Sequence, residues 1–250
     1  MSDETANRES QSPRLALVTA GGRRLGRAIA LRLAELGYDI ALHYNSSADE
    51  ASVTARQIES RGRQVQMFQR DFSHFDEVLT LMPDISESMG APPNLLVNNA
   101  SVYEENTLVE TKPEDFDLNF NLHVKAPFFL TKDFAKYCVG DGLVVNMVDT
   151  SVLRYATKHF PYLLSKKALF ELTKMSAREL APRVRVNAIA PGIVVPATGE
   201  ERAHEKFAKS NPLHRAASAK DILVALEYLI NNGQVTGECL FVDGGKTVDF

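Results

Sequence analysis

Apolar residues along this chain alternate between two patterns. Continuous runs occur at residues 14–19, 39–44, 64–68, 94–97, 143–148, 184–189 and 238–242. Each run has the length of a strand buried on both faces. Between the runs, apolar positions recur at helical spacing: Ile29, Leu31, Leu33 and Leu36 before Gly37, then Val78, Leu81, Met82 and Ile85, and later residues 222–230. Further helices are expected at about 48–60, from Pro113 through His123 and Pro127, and around Tyr162. Unbroken alternation of this kind predicts an α/β fold, a single-domain doubly wound parallel sheet with helices on both faces. Ligands of such sheets sit at the carboxyl ends of the strands, so the residues just after each run are the candidates for chemistry.

Two stretches depart from the alternation. Residues 1–13 are polar and charged without an apolar core, and read as a disordered tail instead of a signal peptide, leaving 14–250 as the ordered domain. Residues 193–215 hold few apolar positions and no strong period, which predicts a mobile lid over a substrate.

After the first run comes Ala20-Gly21-Gly22-Arg23-Arg24-Leu25-Gly26, a glycine loop opening a helix. Such a junction aims backbone N–H groups and a helix N-terminus at a phosphate. The second run ends in His43-Tyr44-Asn45-Ser46-Ser47. A carboxylate at this place would accept from ribose hydroxyls and repel a 2′-phosphate; amide and hydroxyl donors with Arg23 nearby predict NADPH over NADH. Asp71-Phe72 and Asn98-Asn99-Ala100-Ser101 close two further strands and are candidate adenine and nicotinamide-ribose contacts, although asparagines there also simply form turns.

Charge and cysteine usage narrow the partners. The chain has 250 residues, 44% of them hydrophobic, and a formal net charge of −4. That gives no basic field for nucleic acid or an anionic membrane, and no apolar stretch reaches spanning length. Cys138 and Cys239 lie far apart without metal-ligand spacing, so they read as buried thiols of a cytoplasmic protein, with no metal site.

The catalytic candidates are Tyr162 and Lys166. Four residues apart on a helix they share a face, and a nearby ammonium lowers a phenol's pKa toward that of a usable general acid. Asp149, at the end of the run before them, can hydrogen-bond the phenol or merely cap the turn after its strand.

Taken together, Thr19 to Gly26, Asn98 to Ser101, Tyr162-x-x-x-Lys166, Pro191-Gly192 and Val242 to Gly245 resemble the short-chain dehydrogenase/reductase family from about Arg14 onward. Asp149 where serine is usual, Arg24 where glycine is usual, and the stretches His43-Tyr44 and Asp71-Phe72-Ser73 are similar to the pteridine and dihydromonapterin reductases within it. The resemblance implies a Rossmann fold and NADPH lying along Gly21, Arg23, Arg24, Leu25, Gly26, His43 to Ser47, Asp71, Phe72, Asn99, Ala100, Ser101, Tyr162, Lys166, Pro191, Gly192 and Ile193. It implies a pterin substrate held by Arg24, Ser101, Tyr103, Asp149 and Tyr162, with catalysis by Asp149, Tyr162, Lys166 and His123. His123 stands where an asparagine usually completes a water relay, and Ala20 stands where the loop's first glycine is usual. A homotetramer is implied, with helices around 113–138 and 160–181 at one interface. A ketone or ketoacyl reductase of the same family and a non-catalytic NADP(H)-binding regulator are the alternatives.

Overall fold

The computed structural model describes residues 14–194 and 211–248. The predicted tail, 1–13, and most of the predicted lid, 195–210, lie outside these residues. Seven parallel strands form one sheet: β1 Leu15–Val18, β2 Asp39–Tyr44, β3 Val65–Gln69, β4 Leu95–Asn98, β5 Gly142–Met147, β6 Val184–Pro191 and β7 Cys239–Val242, in the spatial order β3-β2-β1-β4-β5-β6-β7. The chain leaves β1 toward one edge, then returns to place β4 on its other side. That reversal opens a crevice above the carboxyl ends of β1 and β4.

Strand alternation divides the apolar runs between two cores. Ala16 and Val18 face α1 (Arg24–Glu35), α2 (Ala48–Glu59) and the helix Ala219–Asn231; Leu15 and Leu17 face α3 (Phe75–Met89) and α5 (Ala126–Tyr137). Both faces being covered, the strands read as unbroken apolar runs. The helix expected from Pro113 is interrupted: α4 (Pro113–Phe120) passes into a π-helical turn, Asn121–Lys125, before α5 begins. A π turn carries one extra residue per turn and has no compositional signature. Pro127 lies at the second position of α5, continuous with the π turn, where it cannot donate a regular bond to His123 O. α6 is Phe160–Leu180, and α7 is the helix Ala219–Asn231. Cys138 and Cys239 are both buried and free, as expected. Among the described residues no helix is long and apolar enough to cross a membrane, and no cluster of metal-ligating side chains occurs.

Candidate active site

Thr19 stitches the crevice at its base. Its Oγ1 accepts from the amides of Asn99 (2.7 Å) and Ala100 (2.9 Å), while Asn99 Nδ2 donates back to Thr19 O at 3.0 Å. The asparagine thus joins β4 to the glycine loop. Ala20 sits at φ 50, the left-handed region that glycine enters without strain, at a cost of about 1 kcal/mol for alanine. Its amide donates to His43 Nδ1 at 3.0 Å, and His43 Nε2 meets Arg70 O at 3.0 Å. A carbonyl only accepts, so the Nε2 carries the hydrogen. The ring stacks on Phe72, with centroids 4.1 Å apart, and burial pushes its pKa down to about 4, so the neutral form holds the loop. Gly26 is required by contact: a Cβ there would lie 2.1 Å from Ala20 O and 2.7 Å from Asn99 Nδ2.

Above this loop a cavity of about 250 Å³ is lined by Ala20, Arg23, His43, Asn45, Ser46, Ser47, Asp71, Phe72, Ala100 and Ser101. All of these except Ala20 are cofactor candidates of the sequence; Ser73, part of the Asp71-Phe72-Ser73 resemblance, completes the wall with Arg70, Val102, Leu118 and Leu122, which no motif marked. Tyr44 does not join them. Strand alternation turns it away from His43 into the core with α1 and α2, 9% exposed. Gly21 is likewise buried, its amide bonded to His43 O at 2.9 Å, so it shapes the loop from beneath. The donors Arg23, Asn45, Ser46 and Ser47, without a carboxylate at the end of β2, fit a phosphate-bearing nucleotide.

A second pair of adjoining cavities, about 220 and 540 Å³, shares Arg24, Asp149, Tyr162, Pro191, Gly192 and Val194. Leu25, Asn99, Ser101 and Lys166 line the smaller one, Tyr103 and Ile193 the larger. Asp149 serves both readings proposed for it. One oxygen, Oδ1, accepts from Ser151 N at 2.7 Å and from the Ser151 hydroxyl, capping the 3₁₀ turn Thr150–Leu153; the other, Oδ2, accepts from the Tyr162 hydroxyl at 2.8 Å. The expected lowering of the Tyr162 pKa by Lys166 is not what the geometry gives. Lys166 Nζ donates to Met147 O at 2.8 Å and stands 5.7 Å from the centre of the phenol ring. Burial, then the Asp149 carboxylate, hold the phenol well above its ordinary pKa. Burial also brings Lys166 down to about 8.

His123, fully buried in the π turn, is 5.4 Å from the Tyr162 ring, and its two nitrogens meet Ser165 and Ser101. Tyr103 packs edge-on against Tyr162 (4.8 Å) and stacks on His159 (4.0 Å). His159 donates to Glu104 O at 2.7 Å, Phe160 N to Asn106 O at 2.7 Å, and Lys158 pairs with Glu105 at 2.6 Å, so the loop after β4 is fastened to the start of α6. Sequence reasoning missed Ser151, Arg154, Lys158, His159, Ser165 and Lys246. Only Ser165, inside the Tyr162–Lys166 stretch, had a signal that pointed to it.

Comparison with known proteins agrees with this geometry. A family model described as Enoyl-(Acyl carrier protein) reductase matches residues 20–247. Similar curated proteins include the 3-oxoacyl-[acyl-carrier-protein] reductase FabG of Staphylococcus epidermidis, 29% identical over 92% of this chain and 97% of that one. An uncharacterized oxidoreductase of Mycobacterium tuberculosis is 34% identical over 94% of this chain and 92% of its own. Among solved structures, FolM alternative dihydrofolate reductase 1 from Brucella suis, in complex with NADP, superposes with a TM-score of 0.90 at 36% identity, covering 95% of this chain and 96% of that one. A model match over nearly the whole length, with relatives above 30% identity across it, places this chain in the short-chain dehydrogenase/reductase family.

Proposed function

We propose that this chain is an NADPH-dependent reductase of pterins, converting a dihydropterin to the tetrahydro form, with dihydrofolate as a further candidate. The observation that carries the reading is the Asp149–Tyr162 hydrogen bond on the wall shared by the two adjoining cavities. A pterin presents ring nitrogens and an amino group that suit a carboxyl partner, whereas a simple ketone presents a single acceptor oxygen. The likeness to the Brucella suis protein supports the same reading.

The bound cofactor supplies a hydride to a ring carbon of the substrate. Arg23 with residues 45–47 hold its phosphate end, Asp71 and Phe72 border the adenine, and Lys166 keeps two N–H donors beyond its bond to Met147 O for the ribose. Arg24, lining both inner cavities, orients the substrate between cofactor and Tyr103. Tyr162 gives its proton to the ring nitrogen next to the reduced carbon. A phenolate beside a carboxylate is costly, so Asp149 must take up a proton from solvent as Tyr162 releases one; the pair acts as a single proton reservoir. The exposed aromatic faces of α4 and α5, Phe116 and Phe128, with Leu164 and Met175 on α6, are the surface on which a homotetramer assembles.

The test is NADPH consumption by the purified protein with dihydromonapterin, dihydrobiopterin and dihydrofolate, beside a ketoacyl thioester and a simple ketone. Turnover on a pterin is expected. The match to FabG favours a second reading, ketoacyl reduction, and turnover confined to the thioester would establish it over the first.

A further inference from the structure

His123 stands where the family resemblance places a water-relay asparagine, and its contacts do not suit a relay. Ser165 Oγ donates to Tyr162 O at 2.7 Å, which spends its single hydrogen. His123 Nδ1, 2.8 Å from Ser165 Oγ, is therefore the donor in that pair. Nε2 is left as the acceptor, receiving the Val102 amide at 3.3 Å; the Ser101 hydroxyl, 2.9 Å away, has one hydrogen to divide between Nε2 and Val102 O at 3.3 Å. Burial, reinforced by the Lys166 ammonium, keeps the ring neutral, in keeping with this tautomer. The hydrogen-bond chain ends on a backbone carbonyl, which cannot pass a proton on. What the imidazole joins is α6, carrying Tyr162 and Lys166, to the first residues of the loop that carries Tyr103.

We propose that His123 is a positioning residue that sets the height of the Tyr103 ring over the substrate cavity, and through it selects for a flat ring system. The extra residue of the π turn is what brings the imidazole between loop and helix, where a regular helix would carry position 123 round by most of a third of a turn. The substrate side of this inference rests on the pterin reading above; the loop anchoring does not.

Asparagine and glutamine separate the two halves of the ring, since an asparagine amide reaches about as far as Nδ1 and a glutamine amide about as far as Nε2. In His123→Asn the bond to Ser165 survives and the loop anchor is lost. KM for the pterin is expected to rise about tenfold, the loss of one to two hydrogen bonds, with kcat within about twofold. His123→Gln retains an acceptor for Val102 N–H and should restore KM to within about threefold of wild type. NADPH affinity and the pH profile of kcat should stay put in both. Amide hydrogen exchange in residues 101–106 should quicken in H123N and not in H123Q, a readout that needs no substrate. If H123N does not fold, Ser165→Ala, which leaves Nδ1 without its acceptor and frees the ring from α6, carries the same exchange comparison in residues 101–106. Loss of kcat with an unchanged KM, a shifted pH profile in both variants, or wild-type exchange and KM in H123N would each overturn the proposal. Absence of pterin turnover in the wild type would overturn the pterin reading instead, and the exchange measurement would still decide whether His123 anchors the loop.

Discussion

With Oδ1 held by Ser151 and Oδ2 by the Tyr162 hydroxyl, the Asp149 carboxylate serves architecture and chemistry at once. The two uses separate by substitution. Asp149→Asn keeps an oxygen for the Ser151 amide, so melting is expected within about 2 °C of wild type, while turnover falls by about 10² to 10⁴ through loss of the shared proton. Asp149→Ala also loses the cap and should melt lower by about 1 kcal/mol. Thermal melts and steady-state rates on the same preparations check both. Lys166 gives a pH signature. Its folded pKa is near 8 against an ordinary 10.5, so the ammonium needed at the ribose is lost as pH rises through about 8. Turnover at saturating NADPH should therefore show an alkaline limb there; a flat profile to pH 10 would contradict it. Stability runs the other way. Between about 8 and 10.5 the unfolded chain binds the proton that the native chain does not, so this residue's contribution to stability rises with pH across that window. The sequence showed that Tyr162 and Lys166 share a helix face, but not that Met147 O takes the ammonium. That partner is a backbone atom of a different strand, and no side-chain pattern marks it.

At the scale of elements, the glycine loop is held by its neighbours more than by itself. Ala20 O, Asn99 Nδ2 and the Cα of Gly26 crowd together, so Gly26→Ala must push β1 and β4 apart at the crevice. NADPH binding should weaken by at least about tenfold, with a destabilisation of about 1–3 kcal/mol of the overpacking kind. Titration of NADPH fluorescence and a denaturant melt measure the two. Unchanged affinity would mean that the cofactor does not approach this loop. The strand, loop and helix here were legible because parallel strands buried on both faces leave unbroken apolar runs and the loop is rich in glycine. The π turn was not. Its sequence, Asn121 to Lys125, is ordinary helix composition, and the extra residue is kept by tertiary bonds from His123 to Ser101 and Ser165. The Tyr44 side chain faces the core for a related reason, since the strand's two-residue period decides its direction and proximity to His43 in sequence does not.

For the whole molecule, one sheet presents one cavity beside the glycine loop and the end of β2 and two adjoining ones over Asp149 and Tyr162; Ser101 lines both the first and the smaller inner cavity, and Arg24 and Tyr162 line both inner ones. The alternation of runs foretold this arrangement, because a doubly wound sheet puts its crevice where strand order reverses. The size of the larger inner cavity was not foretold, as Arg154 and Lys158 come from the loop before α6 and Lys246 from the segment after β7. Phe128 is 48% exposed and Met175 70%, an area of apolar surface that assembly would cover. Light scattering should give four chains per particle, and Phe128→Asp together with Met175→Glu should lower that number; a monomeric wild type would remove the tetramer.

The double duty of Asp149 also limits how this position can drift over generations. Only serine, threonine, asparagine and aspartate offer a short side-chain oxygen to the amide two residues on. A route from one substrate class to another through this position costs least within those four, since most other residues give up the cap at about 1 kcal/mol. Serine and aspartate lie at the extremes of that set, one a neutral donor and the other a charged acceptor. Exchange between them would retune the phenol of Tyr162 while leaving the strand end intact, which makes position 149 a place where relatives can diverge in chemistry without diverging in fold.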